Sequence, residues 1–217
     1  MRNSLYSMKK VIFKNKSFKL NINKFDIHRG AIYLVGGKIS SGKSIFLKLL
    51  NNSISYKGLI KYENEDLSQL SKSIINKDIL HLNSDLPLSL KTVKNYINHF
   101  ADKYDTIQKN KKDIKSLVRR LGASKIMNKR VFTLSKSQRR IVSLISVISA
   151  DSKVLIIDDL DLYLTTDELK ILKTVLIKKA NYDGVTIVAG CRYYYNFPKF
   201  ASVNITLDSG RIVKVRS

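Results

Sequence analysis

The sequence predicts an α/β fold with a mixed sheet, an antiparallel β-subdomain at the N-terminus and a helical subdomain inserted into the core. Three observations predict it. Short apolar runs, "AIYLVGG" (31–37), "KVLIIDD" (153–159) and "GVTIVAG" (184–190), read as buried strands. Segments with helical spacing alternate with those runs, the order that builds a parallel sheet core. The two ends alternate apolar and polar residues, as antiparallel strands do.

The N-terminal stretch "VIFKNKSFKLNINKFDIHRG" supplies the first antiparallel strands. The run 31–37 then ends in glycine, and "SIFLKLLNN" (44–52) follows as a helix with Ile45, Leu49 and Leu50 at helical spacing. The segment 91–130 is polar, Lys-rich and mostly helical in pattern, and belongs to an inserted helical subdomain at about 84–150. Strands at 153–159 and 184–190 complete the core, and "ASVNITLDSGRIVKV" closes the chain as a hairpin turning at "DSG". No repeat and no low-complexity linker interrupts this order, so residues 1–217 read as a single domain.

Composition narrows the setting. Hydrophobic residues make up 44% of 217, enough for a substantial core. No apolar run approaches the ~20 residues of a membrane helix, and the N-terminus has no signal-type apolar stretch. A cytosolic chain is expected. The single Cys191 excludes an internal disulfide and a zinc-finger spacing. The net charge of +23 points either to an anionic partner or to lysine spread over every solvated face. The lysines are dispersed and RNA-type aromatic motifs are absent. Nucleic acid is therefore an unlikely partner, and a position beside an anionic membrane face is expected.

The chemistry begins at "GGKISSGKS" (36–44). Gly37, four residues, then Gly42, Lys43 and Ser44 is the spacing of a phosphate-binding loop, and it lies between strand and helix as that motif requires. Glycines let backbone N–H groups approach phosphate. Residues Gly37, Lys38, Ile39, Ser40, Ser41, Gly42, Lys43, Ser44 and Ile45 are the expected nucleotide contacts. Lys43 reaches the β- and γ-phosphates of ATP, and the Ser44 hydroxyl ligates Mg²⁺. The metal needs a second acid, and Asp158 at the end of "VLII" is the candidate, acting through a bound water. Asp159 beside it is placed to orient the attacking water, so Asp159 and Lys43 are the expected catalytic groups. The plainer alternative has both acids merely ending a strand and capping the next helix. The fold so described is a P-loop NTPase.

"TLSKSQRRIVSLISVISADSKVLIIDDLDLYL" resembles the signature-to-Walker-B block of the ABC-type (ATP-binding cassette) ATPases. Where that family reads Leu-Ser-Gly-Gly-Gln, this chain has Leu134, Ser135, Lys136, Ser137 and Gln138. Ser135 precedes Asp158 by 23 residues, the family's usual spacing. The helix between them carries Ile141, Leu144, Ile145 and Ile148 on one face. "FDIHRGAIYLVGG", "LPLSLKTVKNYI" (86–97) and "DSGRIV" resemble the family's lead-in to its phosphate loop, the start of its helical subdomain and its closing hairpin. The resemblance thus covers nearly the whole chain.

The resemblance implies an ATPase that pairs head to tail with a second copy of itself. Ser135, Lys136, Ser137 and Gln138 of each copy close over ATP held by the other. It implies a separate integral-membrane permease, docked in a groove lined by residues near 83–100, and a peripheral position on the cytoplasmic face of the inner membrane. It also implies an aromatic stacked on adenine: Phe13, with Tyr6 and Phe18 as alternatives. "IYLVGGKISSGKS" and "FPKFASVNITLDSGRIVKV" resemble the cell-division, FtsE-like branch that works with an FtsX-type permease. "LSKSQRR" and the short chain resemble the haem-exporter branch of cytochrome c maturation. A soluble ABC-type protein acting on nucleic acid or the ribosome, and a small-molecule kinase, are the competing readings.

Several family positions are altered. Lys136 and Ser137 replace signature glycines. Asn83 or Ser84 stands where the family has a loop glutamine. Asp159 replaces a glutamate and reaches one methylene less far. The switch histidine is missing, with Gly190 read at its place, and His28, His81 and His99 lie too far along the chain. "LYLT" (162–165) loses an acid at Thr165. Loss of such positioned groups slows chemistry by ~10²-fold or more, so good nucleotide binding with slow hydrolysis is expected. Lys136 or Arg192 serving the γ-phosphate is the alternative.

Overall fold

The computed structural model describes residues 4–103 and 107–217. In chain order the elements are β1 (Ser4–Lys14), β2 (Lys19–His28), β3 (Ile32–Gly36), α1 (Lys43–Leu50), β4 (Lys57–Tyr62), β5 (Glu65–Asp66), α2 (Lys72–Asp78), β6 (Ile79–Leu82), α3 (Val93–Lys103) and α4 (Ile107–Arg120). Then come α5 (Lys136–Ser149), β7 (Val154–Ile157), α6 (Thr166–Asp183), β8 (Thr186–Gly190), β9 (Val203–Asp208) and β10 (Arg211–Arg216). They form two sheets, of order β2-β1-β4-β5 and β10-β9-β3-β8-β7-β6. The first is antiparallel throughout. In the second, β9, β3, β8, β7 and β6 run parallel and β10 returns antiparallel.

The parallel strands read as unbroken apolar runs because each divides its side chains between two cores. Ile32 and Leu34 of β3, Leu155 and Ile157 of β7, and Ile187 and Ala189 of β8 enter one core with α5 and α6. Tyr33 and Val35, Val154 and Ile156, and Val188 enter the other, which α1 and the antiparallel sheet cover. The α6 contribution is Leu169, Leu172, Leu176 and Ala180, a stripe of helical period. That helix stops at Gly184, which takes φ 68 and whose N–H donates to the Lys179 carbonyl.

The chain between β6 and β7 holds α3, α4, two short 3₁₀ turns (124–126 and 131–133) and α5. Val93, Ile97, Leu117, Leu121 and Val131 bury into the same core as α5. Val93 N–H donates to the Lys129 carbonyl at 2.9 Å and Val131 N–H to that of Lys91 at 3.0 Å. The helical insertion is thereby tied to the segment leading into α5. Among the described residues no helix is long and apolar enough to cross a membrane.

Candidate functional site

The phosphate loop follows β3, whose last residue has no room for a side chain. A Cβ on Gly36 would lie 2.3 Å from the Tyr194 ring, and the Gly36 N–H donates to the Tyr194 hydroxyl at 2.9 Å. Gly37 has φ 148, and a Cβ there would meet the Leu207 carbonyl oxygen at 2.2 Å. Gly42 takes φ 105 and caps α1 with no side-chain hydrogen bond. The first N–H groups of α1 therefore have no internal acceptor, which is the anion-binding condition of a helix start. The Lys43 ammonium lies across the loop and donates to the carbonyls of Gly37 at 2.7 Å and Lys38 at 2.9 Å. The buried Ser41 hydroxyl has no partner. Lys38, Ile39, Ser40 and Ser44 are exposed.

A cavity of about 460 Å³ opens on this loop, lined by Ser17, Phe18, Ser40, Ser41, Gly42, Lys43, Ser44 and Ile45. The aromatic in it is Phe18. Phe13, the first sequence choice, is half-buried against the core beneath the antiparallel sheet, and Tyr6 is wholly buried. The β1–β2 turn decides this. The Asn15 side-chain oxygen accepts the N–H groups of Ser17 at 3.0 Å and Phe18 at 2.7 Å, which fixes Phe18 beside the loop. The C-terminal hairpin braces the other side: Gly210 N–H donates to the Ser41 carbonyl at 3.1 Å, and Asn21 N–H to the Gly210 carbonyl at 2.7 Å.

Asp158 follows β7 and is 3% exposed. Its Oδ1 accepts the Asp159 N–H at 3.0 Å. Gly190 lies against it, since a Cβ there would come within 3.0 Å of that oxygen. Asp159 takes φ 45, in the left-handed region. Burial raises the Asp159 carboxyl pKa, and the charge of Asp158 adds to this; Arg192 and Lys43 oppose it. The acids do not cap the next helix. Thr165 caps α6, accepting the Glu168 N–H while the Glu168 carboxylate accepts that of Thr165.

Gly190 is the last strand residue, buried against Asp158. Cys191 follows, wholly buried, its N–H donating to the Val35 carbonyl at 3.0 Å. Burial pushes its thiol up to about 12; Asp161 and Asp159 add to the shift and Lys43 opposes it. Cys191 therefore sits in the field of Lys43 and the acids as a neutral thiol.

At the signature counterpart, Ser135 caps α5. Its hydroxyl accepts the Gln138 N–H at 3.2 Å and the Gln138 side-chain oxygen accepts the Ser135 N–H at 3.1 Å. The Ser135 O–H proton remains available to donate. Lys136, the first helical residue, is exposed, with its ammonium 6.0 Å from the Tyr163 ring centroid. Asn83, read as a replacement for the loop glutamine, donates its side-chain amide to Asp85 at 2.9 Å, and its carbonyl accepts from Arg140.

Sequence reading missed four residues. Arg140 donates to the carbonyls of Asp158 and Asp159 at 2.7 and 2.8 Å. Asp161 accepts the Asn196 side-chain amide at 2.9 Å. Cys191 and Tyr194 are the others. The only available signal was position: each lies within a few residues of a motif that was read.

Comparison with protein families matches residues 20–161 to the family described as ABC transporter. The cytochrome c biogenesis ATP-binding export protein CcmA of Reclinomonas americana is 23% identical over 184 residues, 82% of this chain and 80% of that protein. The energy-coupling factor transporter ATP-binding protein EcfA2 of Streptococcus pyogenes is 26% identical over 205 residues, 89% of this chain and 71% of that protein. Among solved structures, the dimeric post-hydrolysis state of the ATP-binding cassette MJ0796 bound to ADP and Pi superposes with a TM-score of 0.78 at 17% identity. It covers 98% of both chains. The phosphate loop, the acid pair and the Ser135 cap thus stand in a fold shared with ATP-binding cassettes, and the chain belongs to the ABC transporter family as one of its ATP-binding subunits.

Proposed function

We propose that two copies of this chain close head to tail around two ATP molecules, and that this closure drives a separate membrane permease. The observation that supports it most is the α1 start: an uncapped helix N-terminus, a lysine held across its mouth and a partnerless Ser41 hydroxyl. These suit a triphosphate. Backbone N–H groups and Lys43 take the phosphate oxygens, and Phe18 lies where a base can stack. Ser44 and Asp158 offer the hard oxygen donors Mg²⁺ prefers, with water and phosphate completing its shell. Bound there, the ion would neutralise developing charge on the phosphates.

In the closed pair, the Ser135 hydroxyl and the N-terminus of α5 face the partner's γ-phosphate. Lys136 brings a cation where the family has glycine. Asp159 accepts the proton of the attacking water, at shorter reach than a glutamate. Gly190, read where the family's histidine contacts the γ-phosphate, brings no side chain to it. Binding rests on the intact loop and chemistry on altered groups, so turnover is slow. Exposed Leu88 and Leu90, in the segment leading to α3, suit docking of an apolar permease element and hence a membrane-peripheral location. CcmA and EcfA2, named for export and energy-coupling transport, favour a transporter over the FtsE-like role.

The test combines three readings on purified protein. Calorimetry with a non-hydrolysable ATP analogue and Mg²⁺ should show binding. Sedimentation should show a dimer only with nucleotide. Phosphate release should run below the ~1 s⁻¹ at which ordinary turnover begins. Absence of analogue binding overturns the proposal, whereas turnover at ordinary rates removes only its slow-hydrolysis part.

A further inference from the structure

Arg140 is 0% exposed, yet it forms no ion pair among the described residues. Its Nη1 donates to the Asn83 carbonyl at 3.0 Å, and its Nη2 donates to the carbonyls of Asp158 and Asp159 at 2.7 and 2.8 Å. Its Nε has no partner. Burial lowers the guanidinium pKa to about 10, and the charges of Asp159, Asp158 and Asp161 oppose that shift. Burying an unpaired cation is costly, and charge-assisted bonds to three carbonyls offset part of that cost.

The carbonyls it holds are informative. Those of Asp158 and Asp159 belong to the two peptide planes on either side of the Asp159 Cα. Pinning both planes fixes φ and ψ of Asp159, which sits at φ 45, a conformation that persists only where its surroundings enforce it. The direction of the Asp159 carboxylate follows from that backbone. The third carbonyl, of Asn83, belongs to the loop after β6. Arg140 itself lies five residues beyond the α5 cap Ser135. One side chain therefore joins the helix that starts at the signature counterpart, the acid pair and the β6 loop.

We propose that Arg140 is the positioning residue for Asp159, and that it makes the acid of one ATP site respond to displacement of α5, whose start serves the other site. This rests on reading Asp159 as the acid that orients the attacking water. A shift of ~1 Å in a catalytic group costs up to ~10²-fold in rate, so movement of α5 on dimer closure is enough to switch the acid between competent and idle placements.

The test uses Arg140→Lys, which keeps the charge and cannot span three carbonyls. Expected are amide exchange ~10-fold faster at 158–162 and 83–85, unchanged exchange at 37–44, analogue affinity within ~3-fold of wild type, and turnover lowered ~10-fold or more. Wild-type exchange at 158–162 overturns the proposal. So does faster exchange spread evenly over α6 and β8, which would mark general loosening. If the lysine variant does not fold, Arg140→Gln is read in the same way, and failure of both to fold assigns Arg140 a merely structural role and also overturns it. Should the wild-type chain bind no nucleotide, the wider functional reading fails while the exchange pattern still decides the role of Arg140.

Discussion

Helices α5 and α6 start with the same device and opposite charge. Ser135 with Gln138 and Thr165 with Glu168 form matching reciprocal caps. The first turn of α6 adds Asp167 and Glu168, which compensate the positive end of the helix dipole. The first turn of α5 contains no acid and begins with Lys136, which raises the positive potential there. Helix α1 goes further, with no side-chain cap and Lys43 as its first residue. The α1 and α5 starts, which the proposal gives to phosphate, are left electrostatically open, and the α6 start is closed. A missing first-turn acid does not by itself set α1 and α5 apart, since α2 also starts with a lysine and no acid; among α1, α2, α5 and α6 only α1 lacks a side-chain cap.

Three substitutions break or sharpen that contrast. Lys43→Ala at α1 should lower ATP-analogue affinity by ~10²-fold, the loss of a charge-assisted phosphate contact, as read by calorimetry. Lys136→Glu at α5 should weaken the nucleotide-dependent dimer by ~10-fold in sedimentation, with analogue affinity of the monomer unchanged. The same change adds an acid at the positive helix end, worth about 0.3–1 kcal/mol, so the melting temperature should hold or rise as the dimer weakens. Thr165→Ala at α6 should cost about 1 kcal/mol through the lost cap, seen as a melting temperature lower by ~2–4 °C, and leave analogue affinity unchanged.

What the sequence made legible was what neighbouring residues decide. The loop 37–44 declared itself because glycine spacing, lysine and serine all lie within eight residues between a strand and a helix. The acid pair showed because a doubly covered strand is apolar to its last residue, so two aspartates stand out. The capping pair Ser135 and Gln138 was likewise local. The choice between Phe13 and Phe18 was not, because it depends on an Asn15 turn that carries Phe18 to a loop more than twenty positions away. Arg140 was missed because "SQRR" reads as a solvated start to a helix, and nothing nearby in sequence says that the second arginine is buried under carbonyls from two distant loops. The close packing of Gly190, read at the family's histidine position, against Asp158 was not legible either, because only the tertiary structure shows that Asp158 lies where a Gly190 side chain would stand.

The hairpin between β9 and β10 lies beyond residue 161, where the family match ends, yet its Gly210 holds the Ser41 carbonyl. A Cβ at Gly210 would fall 1.9 Å from the Lys19 carbonyl oxygen, so the turn is wedged between the first sheet and the nucleotide loop. During synthesis, the backbone bonding that braces this loop is therefore completed only after the closing hairpin emerges.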